Sequence, residues 1–173
     1  AIGSSGYKGS TADESGSWDE LAEKNARIRW LIRQWAAFGM LGGIIGEPKV
    51  GKSAFALHAF VRPVITGCSW FTGLPGPDPG YAVWCDTERR VAVNLSRAVA
   101  WELPVEKILT PFKDVRQSID LGDVSHIDRI RSVVSRYKAK LVIVDSFRGS
   151  HGLDENNSQI AIVLQALAGV CEE

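Results

Sequence analysis

Eight consecutive residues have the types and spacing needed to hold a phosphate group. Residues 46–53 follow the pattern Gly-x-x-x-x-Gly-Lys followed by Ser or Thr. In this pattern the backbone N–H groups turn inward around a phosphate, and the glycines let the backbone approach it closely. A chance match in an ordinary turn is the alternative, but an apolar run precedes the motif and a helical pattern follows it, which is the context that such a loop requires. The predicted phosphate-binding residues are Gly46, Glu47, Pro48, Lys49, Val50, Gly51, Lys52 and Ser53.

The end of this loop, together with one distant acidic residue, predicts a site for magnesium and a nucleoside triphosphate. We expect the nucleoside triphosphate to be ATP. Lys52 is placed to reach the β- and γ-phosphates, and the Ser53 hydroxyl to ligate Mg²⁺. Asp145 follows four consecutive β-forming residues. A carboxylate at the carboxyl edge of a parallel sheet lies where open α/β sheets bind ligands, and we expect it to complete the Mg²⁺ site. A solvated aspartate at a strand end is the alternative interpretation.

A second carboxylate, Glu88, is the candidate catalytic residue together with Lys52. Glu88 follows the apolar run at 81–85 and should project from the same edge of the sheet. A carboxylate there can orient and deprotonate the water that attacks the γ-phosphate, provided that it lies within hydrogen-bond reach. Alternatively, Glu88 is a helix-start residue favoured by the helix dipole. Asp86 competes with Glu88 for the role of base.

The elements expected to position these residues alternate between strands and helices. Such alternation predicts an α/β fold with three layers, in which helices cover both faces of a mostly parallel sheet. Residues 63–80 are rich in proline and glycine and are expected to form a long connecting loop. We predict strands at 40–45, 81–85 and 141–144 with a weak strand at 107–112, and helices at 18–38, 52–61, 90–102, 124–138 and 160–170.

Length and composition predict one domain. The 173 residues suit a single unit, in which 1–17, dominated by Gly and Ser, form a flexible tail and 18–173 form the folded domain. Twenty basic residues balance twenty acidic ones, so bulk charge does not indicate nucleic-acid or membrane binding. The three cysteines show no metal-binding spacing, and no apolar run approaches the length of a membrane-spanning helix. We therefore expect a cytoplasmic protein with no membrane partner.

The motifs together resemble those of the RecA-like P-loop ATPases. The resemblance rests on the phosphate loop at 46–53, on the glutamate of Cys-Asp-Thr-Glu at 85–88, and on the strand and acidic residue at 141–146. The closer resemblance is to the RepA-type replicative helicase branch. Members of that branch show a loop similar to 67–73 after the first helix, and an Asp-Glu-Asn segment similar to 154–156.

This resemblance covers about residues 30–173 and implies a ring-forming ATPase, often hexameric, that moves on single-stranded DNA. It also implies that Glu88 is the catalytic carboxylate and that Asp145 completes the metal site. Two departures stand out. Lys49 occupies a loop position where many members have glycine, which is tolerable if its φ is negative. The family fold continues with at least one more strand, between the phosphate-loop strand and the Asp145 strand, so we expect that the sequence is truncated at its C-terminus.

The resulting functional prediction is the motor domain of a DNA helicase, or of a related replication or mobile-element ATPase. Two alternatives stay open at this point. One is a small-molecule kinase, and the other is a nucleotide-dependent sensor or assembly module without motor activity. The polar stretch 154–158 is compatible either with a helix cap or with a surface that senses nucleotide and contacts a partner.

Overall fold

Three parallel strands form the centre of the fold. The computed structural model describes Trp18 and residues 28–68, 76–114, 117, 119–150 and 160–171. The order of the strands in the sheet is β4 (Ile108–Leu109), β3 (Ala82–Asp86) and β5 (Leu141–Asp145). In chain order the elements are β1 (Trp30–Ile32), β2 (Ala36–Ala37), α1 (Lys52–Ala56), a π-helical turn (Leu57–Val61), α2 (Arg62–Thr66), β3 (Ala82–Asp86), α3 (Val91–Ala100), a 3₁₀ turn (Val105–Lys107), β4 (Ile108–Leu109), α4 (Val124–Tyr137), β5 (Leu141–Asp145), a second 3₁₀ turn (Phe147–Ser150) and α5 (Ile160–Cys171).

The central strand β3 is buried along its whole length and separates two apolar cores. Because successive side chains of a strand point to opposite faces, Val83 and Cys85 enter one core while Ala82 and Trp84 enter the other. The first core is completed by α4 and α5, and the second by α1, the π-helical turn and α3. These three layers confirm the predicted α/β class with a parallel sheet.

Four of the predicted helices and three of the predicted strands are present with small shifts at their ends. The helix predicted at 124–138 is α4, and its first turn is capped by Asp123, whose side chain accepts from the backbone N–H of Ser125 at 2.8 Å. Burial raises the pKa of the Cys85 thiol to about 12, as expected of a cysteine that acts as a small apolar residue. None of the described helices combines the length and apolar character needed to cross a bilayer.

The helix that follows the phosphate loop is longer than predicted and contains a π-helical turn. It runs through Pro63 to Thr66 and ends at Gly67, whose φ of 74° is readily adopted by glycine. Proline has no N–H and normally disrupts a helix interior. Here Pro63 is the second residue after the π-helical turn, where the ordinary hydrogen-bond register is already interrupted. The predicted loop beginning at residue 63 was therefore wrong over its first four positions.

The helix predicted at 18–38 is also wrong where the structure describes it. Residues 30–37 form an antiparallel hairpin of β1 and β2, with Gln34 at φ 67° in the turn. The two buried side chains of β1, those of Leu31 and Ile32, belong to one apolar cluster with Val64 of α2. Apolar residues three and four apart suggested a helix, but this tertiary contact and the β-forming side chains favour a strand. Residues 19–27 of that prediction lie outside the described residues.

The strand predicted at 40–45 does not form. Its apolar side chains are exposed, with Met40 at 66% and Ile45 at 97%. A strand needs a neighbour for its backbone hydrogen bonds, and within the described part of the chain β5 pairs only with β3. Gly42 and Gly43 weaken the intrinsic preference for an extended strand as well.

A substitution in the first core should lower the stability of the protein, whereas the same substitution at an exposed position should not. Ile130 of α4 is fully buried, whereas Ile162 of α5 is 64% exposed. We expect Ile130→Ala to lower the free energy of unfolding by about 2–5 kcal/mol, because it removes buried methyl groups and leaves a cavity. Ile162→Ala should change it by less than about 0.5 kcal/mol. Urea unfolding of the two variants measures both values, and equal losses would contradict this packing arrangement.

Candidate nucleotide site

The parallel pairing of β3 and β5 brings the two acidic segments to one edge of the sheet. In the register of the two strands Asp86 lies opposite Asp145. Beyond this pair, the N–H of Thr87 donates to the carbonyl of Asp145 at 2.8 Å. The Thr87 hydroxyl donates to the carbonyl of Ser146 and accepts from its N–H, both at 2.8 Å. The carboxyl ends of β3 and β5 are therefore tied together through Thr87.

The start of α1 lies against this same edge. The hydroxyl of Ser53 donates to Oδ1 of Asp145 at 3.0 Å, although the two residues are 92 positions apart. Both predicted metal-site residues thus meet, one from the first turn of a helix and the other from the last position of a strand. A hydroxyl and a carboxylate side by side are oxygen donors of the kind that Mg²⁺ takes.

The phosphate loop itself is held by Lys52. Its ammonium group donates to the carbonyl oxygens of Gly46 and Glu47, at 2.7 Å each. Gly51 precedes α1 with φ at 94°, a left-handed conformation that glycine adopts without steric cost. A Cβ added at Gly51 would meet no atom within 4 Å, so the constraint at this position is the backbone conformation and not the available space.

Lys49 does not have the negative φ that would make lysine easily tolerated at this position of the loop. Its φ is 67°, in the left-handed region. This conformation costs a non-glycine residue roughly 1–2 kcal/mol, because Cβ crowds the following carbonyl oxygen. The loop therefore requires a conformation suited to glycine at this position, and lysine adopts it with strain.

Glu88 lies at the same edge as Asp145 and is held by two partners. Ser146, the residue after Asp145, donates its hydroxyl to Glu88 Oε1 at 2.9 Å. The other carboxylate oxygen accepts from Nε of Arg90 at 3.1 Å, and the Glu88 side chain is 38% exposed. The predicted base and the predicted metal residue are thus neighbours, joined through the Ser146 hydroxyl.

Asp86, the rival carboxylate, has a different environment. It is buried, and its Oδ1 accepts from the backbone N–H of Glu88 at 3.0 Å. Its Oδ2 is also buried and has no hydrogen-bond partner among the described residues. Burial, together with the nearby charge of Asp145, raises the pKa of Asp86 above its ordinary value, although backbone N–H groups of residues 88–90 oppose this.

The oxygen donors at this edge fit a magnesium ion that takes most of its ligands from water molecules and from the phosphates of a substrate. Within the part of the chain that the structure describes, no group of three or more His, Cys, Asp or Glu side chains could hold a metal alone. Mg²⁺ is usually bound through one or two protein oxygens plus substrate phosphates. Ser53 and Asp145 are sufficient for such a site.

Sequence reasoning missed the residues that fix the geometry of this edge, namely Thr87, Ser146 and Gly149. A Cβ added at Gly149 would come within 2.7 Å of the Thr87 hydroxyl. The second 3₁₀ turn therefore packs closely on the hydrogen bonds by which Thr87 joins the ends of β3 and β5. The sequence did contain a signal for Thr87 and Ser146, because each of these hydroxyl residues directly follows an aspartate at the end of a strand. The predicted segments at 154–158 and 69–73 lie outside the described residues.

Comparison with known families matches residues 11–173 to the family described as AAA domain. Neither the curated proteins nor the solved structures provide a match. The family match supports a P-loop ATPase without distinguishing the RepA-type helicase branch. Members of this family generally bind ATP with Mg²⁺. Because the match covers nearly the whole sequence, the chain belongs to the AAA domain family of P-loop ATPases.

Proposed function

We propose that this P-loop ATPase hydrolyses Mg·ATP at the edge formed by α1, β3 and β5, and that it is the motor domain of a DNA helicase or of a related replication or mobile-element ATPase. The hydrolytic part of this proposal rests on contacts between described residues. The motor part rests on the family resemblance, so the two parts need separate experiments.

One observation carries the hydrolytic part of the proposal, the convergence of one hydroxyl and two carboxylate groups. Ser53 Oγ lies 3.0 Å from Asp145 Oδ1, and the next residue, Ser146, donates to Glu88 at 2.9 Å. The groups come from a helix start and two strand ends that are distant in sequence. A hydroxyl and a carboxylate for a cation, with a second carboxylate beside them, are the groups that hydrolysis of a phosphoanhydride requires.

Each residue then has a defined task. Lys52, with the loop backbone and the positive end of the α1 dipole, binds and neutralises the phosphates. Ser53 and Asp145 hold Mg²⁺, which when bound offsets the charge that develops on the transferred phosphoryl group. Glu88 accepts the proton of the attacking water and orients its oxygen in line with the bond that breaks.

Glu88 suits the role of base better than Asp86 because of its exposure. The side chain of Glu88 is 38% exposed at the edge, so water and substrate can reach it. Asp86 is buried, and one of its oxygens accepts from the backbone N–H of Glu88. Asp86 therefore supports the turn that presents Glu88 and is a positioning residue.

The motor part of the proposal brings two expectations from the resemblance, a homo-oligomeric ring and a single-stranded DNA partner. Neither rests on a contact described above. Among the described residues near the site, Arg89, Arg90 and Arg148 are exposed cationic side chains. Such groups can contact the phosphates of a nucleic acid or of a nucleotide held at a subunit boundary.

Replacing Glu88 by Gln should separate nucleotide binding from turnover. Gln keeps the size of the side chain and its acceptor for Ser146 but cannot take a proton. We expect the affinity for a fluorescent ATP analogue to change less than about threefold, and phosphate release to fall by about 10²–10⁴, the usual contribution of a general base.

Asp86→Asn is the matched control for this experiment, since it makes the same chemical change two residues earlier. Asparagine keeps an oxygen that can accept from the backbone N–H of Glu88, so this variant should retain most of the turnover. A loss of turnover in Asp86→Asn but not in Glu88→Gln would assign the base to Asp86. Unchanged phosphate release in Glu88→Gln, with low release in the wild type, would favour the non-hydrolysing sensor.

Removing the metal-site oxygens should raise the magnesium requirement. We expect Ser53→Ala and Asp145→Asn each to increase the Mg²⁺ concentration for half-maximal ATP hydrolysis by about 10- to 100-fold, as loss of a ligand or its supporting contact usually does. Ser96→Ala, on the exposed face of α3, is the control and should leave the requirement unchanged. A titration of phosphate release with Mg²⁺ measures this concentration. If Ser53→Ala and Asp145→Asn both needed no more Mg²⁺ than the wild type, this metal site would be excluded.

The motor role predicts salt-dependent binding to single-stranded DNA. If basic side chains neutralise DNA phosphates, the logarithm of the binding constant should fall linearly with the logarithm of the salt concentration, with a slope of about −0.7 per phosphate contact. Fluorescence anisotropy with a labelled oligonucleotide, in the presence of a slowly hydrolysed ATP analogue, gives this slope. Absence of binding, or a slope near zero, would remove the helicase assignment while leaving the ATPase intact.

A further inference from the structure

The carboxylate of Glu88 needs support from outside its own strand. Glu88 lies in the bend that follows β3, beyond the last strand residue Asp86. Its side chain is long and rotatable, and it is 38% exposed. Such a side chain samples several rotamers unless its end is held. The backbone of β3 therefore fixes where this side chain begins, whereas other groups must fix where its carboxylate lies.

Two groups contact this carboxylate, and they differ in how firmly they are held themselves. Arg90 contacts Oε2 with a long side chain that is 60% exposed. An exposed ion pair is screened by salt and contributes little to holding a geometry. Ser146 contacts Oε1 with its hydroxyl at 2.9 Å. The hydroxyl of a serine is attached to Cβ, so a fixed backbone leaves it few positions.

The backbone of Ser146 is fixed by hydrogen bonds on both sides of the residue. Its N–H donates to the Thr87 hydroxyl, and its carbonyl accepts from the same hydroxyl, both at 2.8 Å. The carbonyl also accepts from the N–H of Gly149 at 3.2 Å. Because Ser146 directly follows Asp145, the last residue of β5, its hydroxyl is attached to a backbone position that the neighbouring strand defines.

The direction of the hydrogen bond between Ser146 and Glu88 is compatible with a base. An ionised carboxylate can only accept hydrogen bonds, so the Ser146 hydroxyl must be the donor. The two carboxylate oxygens together have about four acceptor sites. Ser146 takes one site on Oε1 and Arg90 one site on Oε2, and each oxygen keeps another site. The contact with Ser146 therefore holds the carboxylate while leaving it able to accept from a water molecule.

We propose that Ser146 is a positioning residue for ATP hydrolysis, because its hydroxyl holds the Glu88 carboxylate where the attacking water must lie. This inference rests on the proposed hydrolytic function and deepens it. In the reaction the water oxygen bonds to the γ-phosphorus as the bond to the leaving oxygen of ADP breaks, and the water proton passes to Glu88. Ser146 exchanges no proton. The end of β5 thus supplies both Asp145 for the metal and the support for the base on β3.

Loss of the Ser146 hydroxyl should lower turnover without weakening binding. In the described part of the chain this hydroxyl bonds to Glu88, whereas Asp145 accepts from Ser53. We expect Ser146→Ala to lower kcat by about 10- to 100-fold, since a misplaced base or a lost hydrogen bond to a charged group has effects of this size. The KM for ATP and the Mg²⁺ concentration for half-maximal activity should stay within about twofold. Ser132→Ala, on the exposed face of α4, is the control and should leave kcat unchanged.

Conservative replacements separate the hydroxyl from a general effect on the end of β5. Ser146→Thr keeps the hydroxyl and should restore kcat to within about threefold of the wild type. Ser146→Cys, whose thiol is a weak donor, should give an intermediate kcat and provides the same test if the alanine variant does not fold. Wild-type kcat in Ser146→Ala or, in that case, in Ser146→Cys would overturn the proposal. So would a Mg²⁺ requirement that rises as much as kcat falls, because Asp145 would then be displaced as well.

A double variant tests whether Ser146 acts through Glu88. In Glu88→Gln there is no base to position, so adding Ser146→Ala should change the remaining rate of phosphate release by less than about threefold. A loss as large as that in the wild-type background would mean that Ser146 acts on the metal or the substrate directly, and would overturn the proposal.

The same measurements distinguish a failure of this inference from a failure of the proposed hydrolytic mechanism. Wild-type turnover in Glu88→Gln would refute the role of Glu88 as base, and the role of Ser146 with it. Low turnover in Glu88→Gln together with wild-type kcat in Ser146→Ala would overturn the role of Ser146 alone.

Discussion

The in-register parallel pairing of β3 with β5 is the constraint on which the other features of the site depend. Because Asp86 lies opposite Asp145, the residues that follow them, 87–88 and 146, emerge at one edge of the sheet. A shift of one residue would turn every side chain of the strand to the opposite face and separate Glu88 from Asp145. The hydrogen bonds of Thr87 to Asp145 and Ser146 fix this register at the functional end of the strands.

The same strand, β3, serves two apolar cores and the candidate nucleotide site. Its alternating side chains enter opposite apolar layers, and its carboxyl end presents the acidic residues. Trp84 belongs to the second core, while Asp86, two residues later, accepts from the backbone N–H of Glu88. Burial of the whole strand makes its backbone rigid, so groups attached to it keep their positions. Rigid placement of a carboxylate is what a general base requires, since its geometry must match that of the attacking water.

Much of the sheet could be predicted from the sequence, because continuous β-forming runs such as that of Leu141–Asp145 are at least half-buried and end in a polar residue. Local patterns failed where a distant partner decides the conformation. The spacing of Leu31, Ile32 and Trp35 fits a helix, yet packing against Val64 yields a hairpin. The run at 40–45 is apolar but contains two glycines, and it lacks a paired neighbour among the described residues. Hydroxyl contacts such as Ser146 to Glu88 depend on strand register, which no short pattern encodes.

The most direct test of the account is a crystal structure of the chain with Mg²⁺ and a slowly hydrolysed ATP analogue. The account predicts the Ser53 hydroxyl in the metal coordination shell at about 2.1 Å, with Asp145 bonded to the metal or to one of its waters. Glu88 should lie within about 2.6–3.2 Å of a water in line with the γ-phosphate. A nucleotide bound away from residues 46–53, or a Glu88 carboxylate turned away from the γ-phosphate with no water between them, would contradict it.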